Sequence, residues 1–107
     1  GFVSLTAGDK AGQLISKPFV ATGDRLLLNV DVSDKGQATV EVLDENKQTI
    51  DGFELNSSVP LRGRSIEQAV RWTTRSNWSQ LVGRKVRLRI RLRNADLYAF
   101  WNSKETT

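Results

Sequence analysis

Cysteine, histidine and methionine are all absent from this chain of 107 residues. Without cysteine there is no disulfide, no thiolate nucleophile and no thiolate metal site. Without histidine there is no Ser-His-Asp triad, no Cys-His pair and no imidazole zinc site. The chemistry left open is a carboxylate pair of the glycosidase kind, or an oxygen-ligand metal such as calcium. Long apolar runs are missing too, and none approaches the roughly 18 residues of a membrane span. The opening Gly-Phe-Val has no initiator Met and no basic or apolar leader. It reads as an excised piece of a longer protein, with any localisation signal lying elsewhere.

Acidic residues are scarce in one half only. Residues 1–61 carry five basic and nine acidic side chains, whereas residues 62–107 carry eleven and three. The halves therefore differ by twelve charges, −4 against +8, within an overall +4. The basic half is not a tail, because it also holds the strongest strand pattern in the chain. A length of 107 residues suits one domain with a single core.

That pattern is Val86 to Arg93, Val-Arg-Leu-Arg-Ile-Arg-Leu-Arg. Side chains of a strand alternate between its two faces. Val86, Leu88, Ile90 and Leu92 therefore share one face, and Arg87, Arg89, Arg91 and Arg93 share the other. A helix would scatter the same residues around its circumference. The apolar row requires a core, and the arginine row requires water, a partner or acidic neighbours.

The rest of the chain repeats the period of two in shorter pieces. Phe2 to Leu5 and Gln13 to Ser16 are short strands, with Pro18 confining the continuation of the second to an edge or a bend. Arg25 to Val32 places Leu26, Leu28, Val30 and Val32 on one face. Ser33-Asp34-Lys35-Gly36 then reads as a hairpin loop, and Gln37 to Leu43 as its returning strand with Ala38, Val40 and Val42 inward. Asp44-Glu45-Asn46-Lys47 is a second turn, and Gln48 to Leu55 a weaker strand interrupted by Asp51-Gly52. Residues 56–65 form the longest loop. The Ser65-to-Gln68 spacing fits a capping box, but Ala69-Val70-Arg71-Trp72-Thr73 favours a strand over 68–73. Asn77 to Leu81 fits one helical turn, Asn94-Ala95-Asp96 a turn, and Leu97 to Trp101 a last strand. Residues 1–101 thus read as one domain and 102–107 as a frayed tail. About eight short strands, each with one apolar face, imply an all-β, antiparallel sandwich, jelly-roll-like in form.

Four stretches taken in order carry a family resemblance: Gly23-Asp24-Arg25-Leu26 through Asn29-Val30; Asp51-Gly52-Phe53; Arg62-Gly63-Arg64-Ser65 running into Val70-Arg71-Trp72; and Val86 to Arg93 running into Ala95-Asp96-Leu97-Tyr98-Ala99-Phe100. From Gly1 to about Trp101 the chain resembles the C-terminal β-sandwich domain of bacterial proteins related to glycoside hydrolase family 32. The resemblance implies that catalysis belongs to a five-bladed β-propeller in the same polypeptide. This domain would then pack beside the propeller as a non-catalytic accessory module, in an extracytoplasmic or secreted protein. It places no catalytic residue, metal or cofactor on this chain. Where relatives carry more acid in the long loop, this chain has Ser57, Ser58 and Arg64, so no ligand role is carried over to that loop.

The candidate sites divide by chemistry. The guanidinium groups of Arg87, Arg89, Arg91 and Arg93 suit a polyanion or an acidic partner surface. They equally suit pairing with Asp31, Glu41 and similar residues on neighbouring strands. Pairing within the sheet and docking on an acidic partner surface rank above nucleic acid, since no aromatics alternate with the arginines to stack bases. A carbohydrate-binding module is the alternative function, and it needs exposed rings. Trp72, Tyr98 and Phe100 sit in strands and read as core. Trp78 in a loop and Trp101 near the chain end read as exposed. The carboxylate pairs Asp51 with Glu54 and Asp24 with Asp96 read as turn residues rather than as an acid–base pair. Asp44-Glu45-Asn46 lacks the glycine and the downstream glutamate of a calcium loop.

Overall fold

The computed structural model describes residues 2–73 and 78–103, with side chains from Leu5 onward. Among these residues there are six strands: β1 (Phe2–Ala7), β2 (Gly12–Ile15), β3 (Phe19–Val20), β4 (Arg25–Asp44), β5 (Gly63–Ala69) and β6 (Lys85–Ser103). Two single 3-10 turns, Leu55–Ser57 and Ser79–Leu81, are the helical elements among the described residues. All pairing is antiparallel and within one sheet. The all-β expectation holds, but the strands are fewer and two of them are much longer than the sequence suggests.

The frame is the pair β4 and β6. They run antiparallel from Arg25↔Ser103 at one end to Asp44↔Val86 at the other. Strand residues rise about 3.3 Å each, so twenty would span about 66 Å if straight. The molecule is only 35 Å in its longest dimension. The two-stranded ribbon therefore folds over, and the pairing shows where. Register slips between Val32↔Ala95 and Gln37↔Arg93, leaving residues 33–36 of β4 opposite Asn94 alone.

This corrects two expectations at once. Ser33-Asp34-Lys35-Gly36 is not a hairpin loop and Asn94-Ala95-Asp96 is not a turn between strands. They face each other at the bend of one ribbon, which needs pliant residues on both strands. Asn94 takes a positive φ of 47°, a region that Asn tolerates better than most residues. Its N–H donates to the Gly8 carbonyl at 2.9 Å. Gly36 packs so closely that a Cβ would lie 2.4 Å from the Asn94 carbonyl oxygen and 2.5 Å from that of Arg93. Only the residue without a side chain fits there.

The bend brings both halves of the ribbon onto one core. Leu26, Leu28, Val30 and Val32 from one half, and Ala38, Val40 and Val42 from the other, belong to a single buried cluster. Val86, Leu88, Ile90 and Leu92 join it as their alternation requires, followed by Ala95, Leu97 and Phe100. The spacing changes from two to three at Asn94 and again at Tyr98. The second change is a bulge: Val30 pairs with Leu97 and Asn29 with Ala99, leaving Tyr98 as the extra residue. Tyr98 is accordingly exposed, contrary to its expected place in the core, while Trp72 and Phe100 are buried.

Short strands complete both ends. β1 pairs with the last part of β6, and β2 and β3 with its first part. Pro18 separates β2 from β3, and the Ser16 hydroxyl accepts the Leu88 N–H (2.9 Å) where the ladder breaks. β5 pairs with the first half of β4 and begins at Gly63, five residues earlier than the sequence indicates. Its side chains are mostly exposed, so it carries no apolar period. The anticipated strand over 68–73 is instead the end of β5 followed by a lone bridge, Trp72↔Ser58. Likewise the anticipated strand over 48–55 reduces to a single bridge, Leu43↔Thr49. β6 continues through Asn102 and Ser103, while residues 104–107 of the expected tail, and Asn77 of the expected helical turn, lie outside the described residues.

Candidate functional site: the arginine face

The arginines of β6 stand on the face away from the core, as their alternation dictates. Their cross-strand neighbours on β4 differ from rung to rung. Arg87 is opposite Leu43, Arg89 opposite Glu41, Arg91 opposite Thr39 and Arg93 opposite Gln37. On the other side, β2 places Ile15 beside Arg89 and Gln13 beside Arg91. One rung of the four therefore meets an acid.

That rung is closed. Arg89 Nη1 donates to Glu41 Oε1 at 2.6 Å, and the Glu41 side chain is 9% exposed. The other carboxylate oxygen, Oε2, accepts the Leu55 N–H at 3.1 Å. A buried carboxylate needs both a counter-charge and filled lone pairs, and Glu41 has both. Arg87 is also occupied, donating to the carbonyls of Glu45 (3.2 Å) and Ser16 (3.3 Å). Arg91 and Arg93 are exposed and have neither an ion pair nor a hydrogen-bond partner among the described residues. Of the anticipated pairings, Glu41 meets the ladder. Asp31 does not, and lies instead 4.0 Å from Arg64 on β5.

Beside the two unpaired arginines is a cleft of about 280 Å³. Thr39, Gln37, Arg91 and Arg93 line it from the strands, and Leu55, Asn56, Ser58 and Pro60 from the 3-10 turn and the start of the long loop. Among the described residues, no acid and no aromatic ring lines it. Ser58 is held in place by accepting the Val40 N–H at 2.9 Å. The sequence pointed to the arginines but not to this loop, whose lack of period hides how closely it follows β4.

The aromatic candidates fare differently. Trp78 is fully buried in the core, with its ring 6.1 Å from that of Phe19. The expectation that a loop position exposes it is overturned: the backbone N–H of Trp78 bonds to the Asp24 carbonyl just before β4 (3.1 Å), and its ring packs beside Phe19 of β3. It offers no face to a sugar. Trp101 is half-buried, opposite Leu27 in the strand pairing. The two residues therefore do not form a shared exposed platform.

Asp44 and Glu54 have structural partners. Asp44 Oδ1 accepts the N–H groups of Asn46 (2.8 Å) and Gln48 (2.9 Å), which closes the turn read from the sequence. Glu54 accepts the Gly52 N–H through Oε2 and the Ser57 hydroxyl through Oε1. A pair that the sequence did not signal is Asp31 with Asp96, directly opposite each other across β4 and β6. It stands on the outer face with the Asp31 side chain 40% exposed, and Arg64 lies beside it. Among known proteins the chain matches no family model, no curated protein and no solved structure.

Proposed function

We propose that this domain is a non-catalytic accessory module that docks against an acidic surface of a neighbouring body through the arginine face of β6. In this reading the folded ribbon serves as a sandwich-like support whose task is to hold that face flat and fixed. The neighbour proposed from the sequence resemblance is a β-propeller related to glycoside hydrolase family 32, with catalysis on the propeller.

The observation that carries the reading is the uneven neutralisation of one ladder. Arg87 and Arg89 each make bonds within the domain, whereas Arg91 and Arg93 have none among the described residues. A face that only needed to be solvated would have no reason to fix two rungs through partly buried bonds and leave the next two bare in a cleft. Charge complementarity of this kind sets register and partner choice more than raw affinity.

The test is thermal unfolding of the protein that carries this domain. Reversing both charges, Arg91→Glu with Arg93→Glu, is expected to lower the unfolding temperature of the partner body while leaving that of the isolated domain unchanged. An unaltered partner transition would defeat the docking reading.

A further inference from the structure

We propose that the cleft over Arg91 and Arg93 is a binding site for one small oxyanion group: a carboxylate, sulfate or phosphate. The inference deepens the docking reading, since it names the group that the partner would offer.

Three observations converge on it. First, Arg91 and Arg93 are alternate residues of one strand, about 7 Å apart along it, and among the described residues no acid lines the cleft they share. The carboxylate opposite one of the ladder's arginines, Glu41, has both oxygens engaged by Arg89 and the Leu55 N–H. Two like charges held side by side raise the local potential, and low-dielectric walls focus it. Second, the remaining polar lining consists of neutral hydroxyl and amide groups: Thr39, Ser58, Gln37 and Asn56. Ser58 is 5% exposed, and its oxygen accepts the Val40 N–H, so its own proton is left to donate. Guanidinium forks with neutral donors and no competing acceptor charge suit an anion's oxygens. Third, the volume of about 280 Å³ falls just under the roughly 300–1,000 Å³ of pockets that enclose a drug-sized ligand. The absence of rings in the lining removes stacking as a mode of recognition.

The experiment is an amide NMR titration of the chain at low ionic strength with sodium sulfate, sodium phosphate and a hexaglutamate peptide. Sodium chloride at matched ionic strength is the control. The expected result is a saturating shift of the Thr39, Ser58 and Arg91 to Arg93 amides with all three anions, with sulfate displacing the peptide. Arg91→Ala and Arg93→Ala should each weaken binding about tenfold or more, the equivalent of one charged hydrogen bond. Arg91→Lys should also weaken it, because the fork is lost while the charge remains. Arg64→Ala removes the same charge outside the cleft and should change affinity by less than about twofold. Shifts that follow ionic strength alone, or that Arg64→Ala abolishes as fully as Arg91→Ala does, would overturn the site. Peptide binding spread over the whole face, with no response to small anions, overturns the site but leaves docking intact. Saturable sulfate binding alongside an unaltered partner transition in the charge-reversed carrier supports the site and removes the docking reading.

Discussion

The two halves of β4 meet different kinds of neighbour. From Leu27 to Val32 the strand has backbone ladders on both sides, β6 on one and β5 on the other. From Ala38 to Asp44 it has β6 on one side and a patchwork on the other. Ala38 exchanges backbone bonds with Leu61, and Val42 bonds to Phe53 and Ile50. Between them, at Val40, no backbone arrives. The Val40 N–H goes to the Ser58 hydroxyl (2.9 Å), and its carbonyl accepts the Trp72 indole N–H (2.9 Å). A buried strand must satisfy its peptide groups. One half does so mainly with a partner strand, the one side-chain bond among the described residues being Gln68 Nε2 to the Val30 carbonyl (3.4 Å), and so depends little on which side chains that strand carries. The other half does so at Val40 with the Ser58 and Trp72 side chains and is therefore sensitive to them.

Substitution should expose that asymmetry most sharply at Trp72. It is buried, stacks edge-on against Phe53 with ring centroids 4.9 Å apart, and closes the Val40 carbonyl. Trp72→Ala should cost about 3–5 kcal/mol in chemical denaturation. Trp72→Phe, which keeps most of the ring but leaves the carbonyl bare, should cost about 1–3 kcal/mol. If Phe is tolerated without loss, the indole bond does not matter and the contrast between the halves is one of packing alone.

Glu41→Ala comes next. It strands Arg89, whose Nε is already buried without a partner, and it releases the Leu55 N–H. Breaking a buried pair costs about 3–5 kcal/mol. The Arg89 side chain is 30% exposed and can turn partly to water, so about 2–3 kcal/mol is expected from urea unfolding. A loss under about 1 kcal/mol would mean that the rung behaves as a surface pair. Ser58→Ala should follow at about 1–2 kcal/mol, the cost of one unsatisfied buried amide.

How much of this was legible in the sequence depends on which force writes the pattern. The rows Val86 to Leu92, Leu26 to Val32 and Ala38 to Val42 were readable because a core on one side imposes a period of two. The bend was visible only as two turn signals. Ser33 to Gly36 and Asn94 to Asp96 have turn composition, but a hairpin and a folded ribbon call for the same residues. What separates the two is whether Val32 faces Gln37 or Ala95, and that long-range pairing leaves no local mark. The arginine face was readable as a face. Its division into occupied and vacant rungs was not, because it depends on β4 offering Glu41 to one rung and Thr39 and Gln37 to the next two. Trp78 misled for a related reason: its flanking polar residues describe a loop, and a loop position does not say whether the ring turns inward.

The smallest expected effect lies on β5, the edge strand of the half that relies on backbone pairing. Ile66 is 73% exposed there, and β5 is joined to β4 by its backbone ladder. Ile66→Thr keeps a β-branched residue and removes an apolar group that is already in water. It should change stability by no more than about 0.5 kcal/mol. Measured beside Ser58→Ala in the same urea series, it sets the comparison on one scale. Ile66 lies within β5 between the rungs Val30↔Ser65 and Leu28↔Gln68, on a strand that joins β4 through its main chain, whereas Ser58 joins β4 through its side chain. A cost at Ile66 matching that at Ser58 would mean that the partner strand depends on its side chains after all, and the distinction between the two halves would fail.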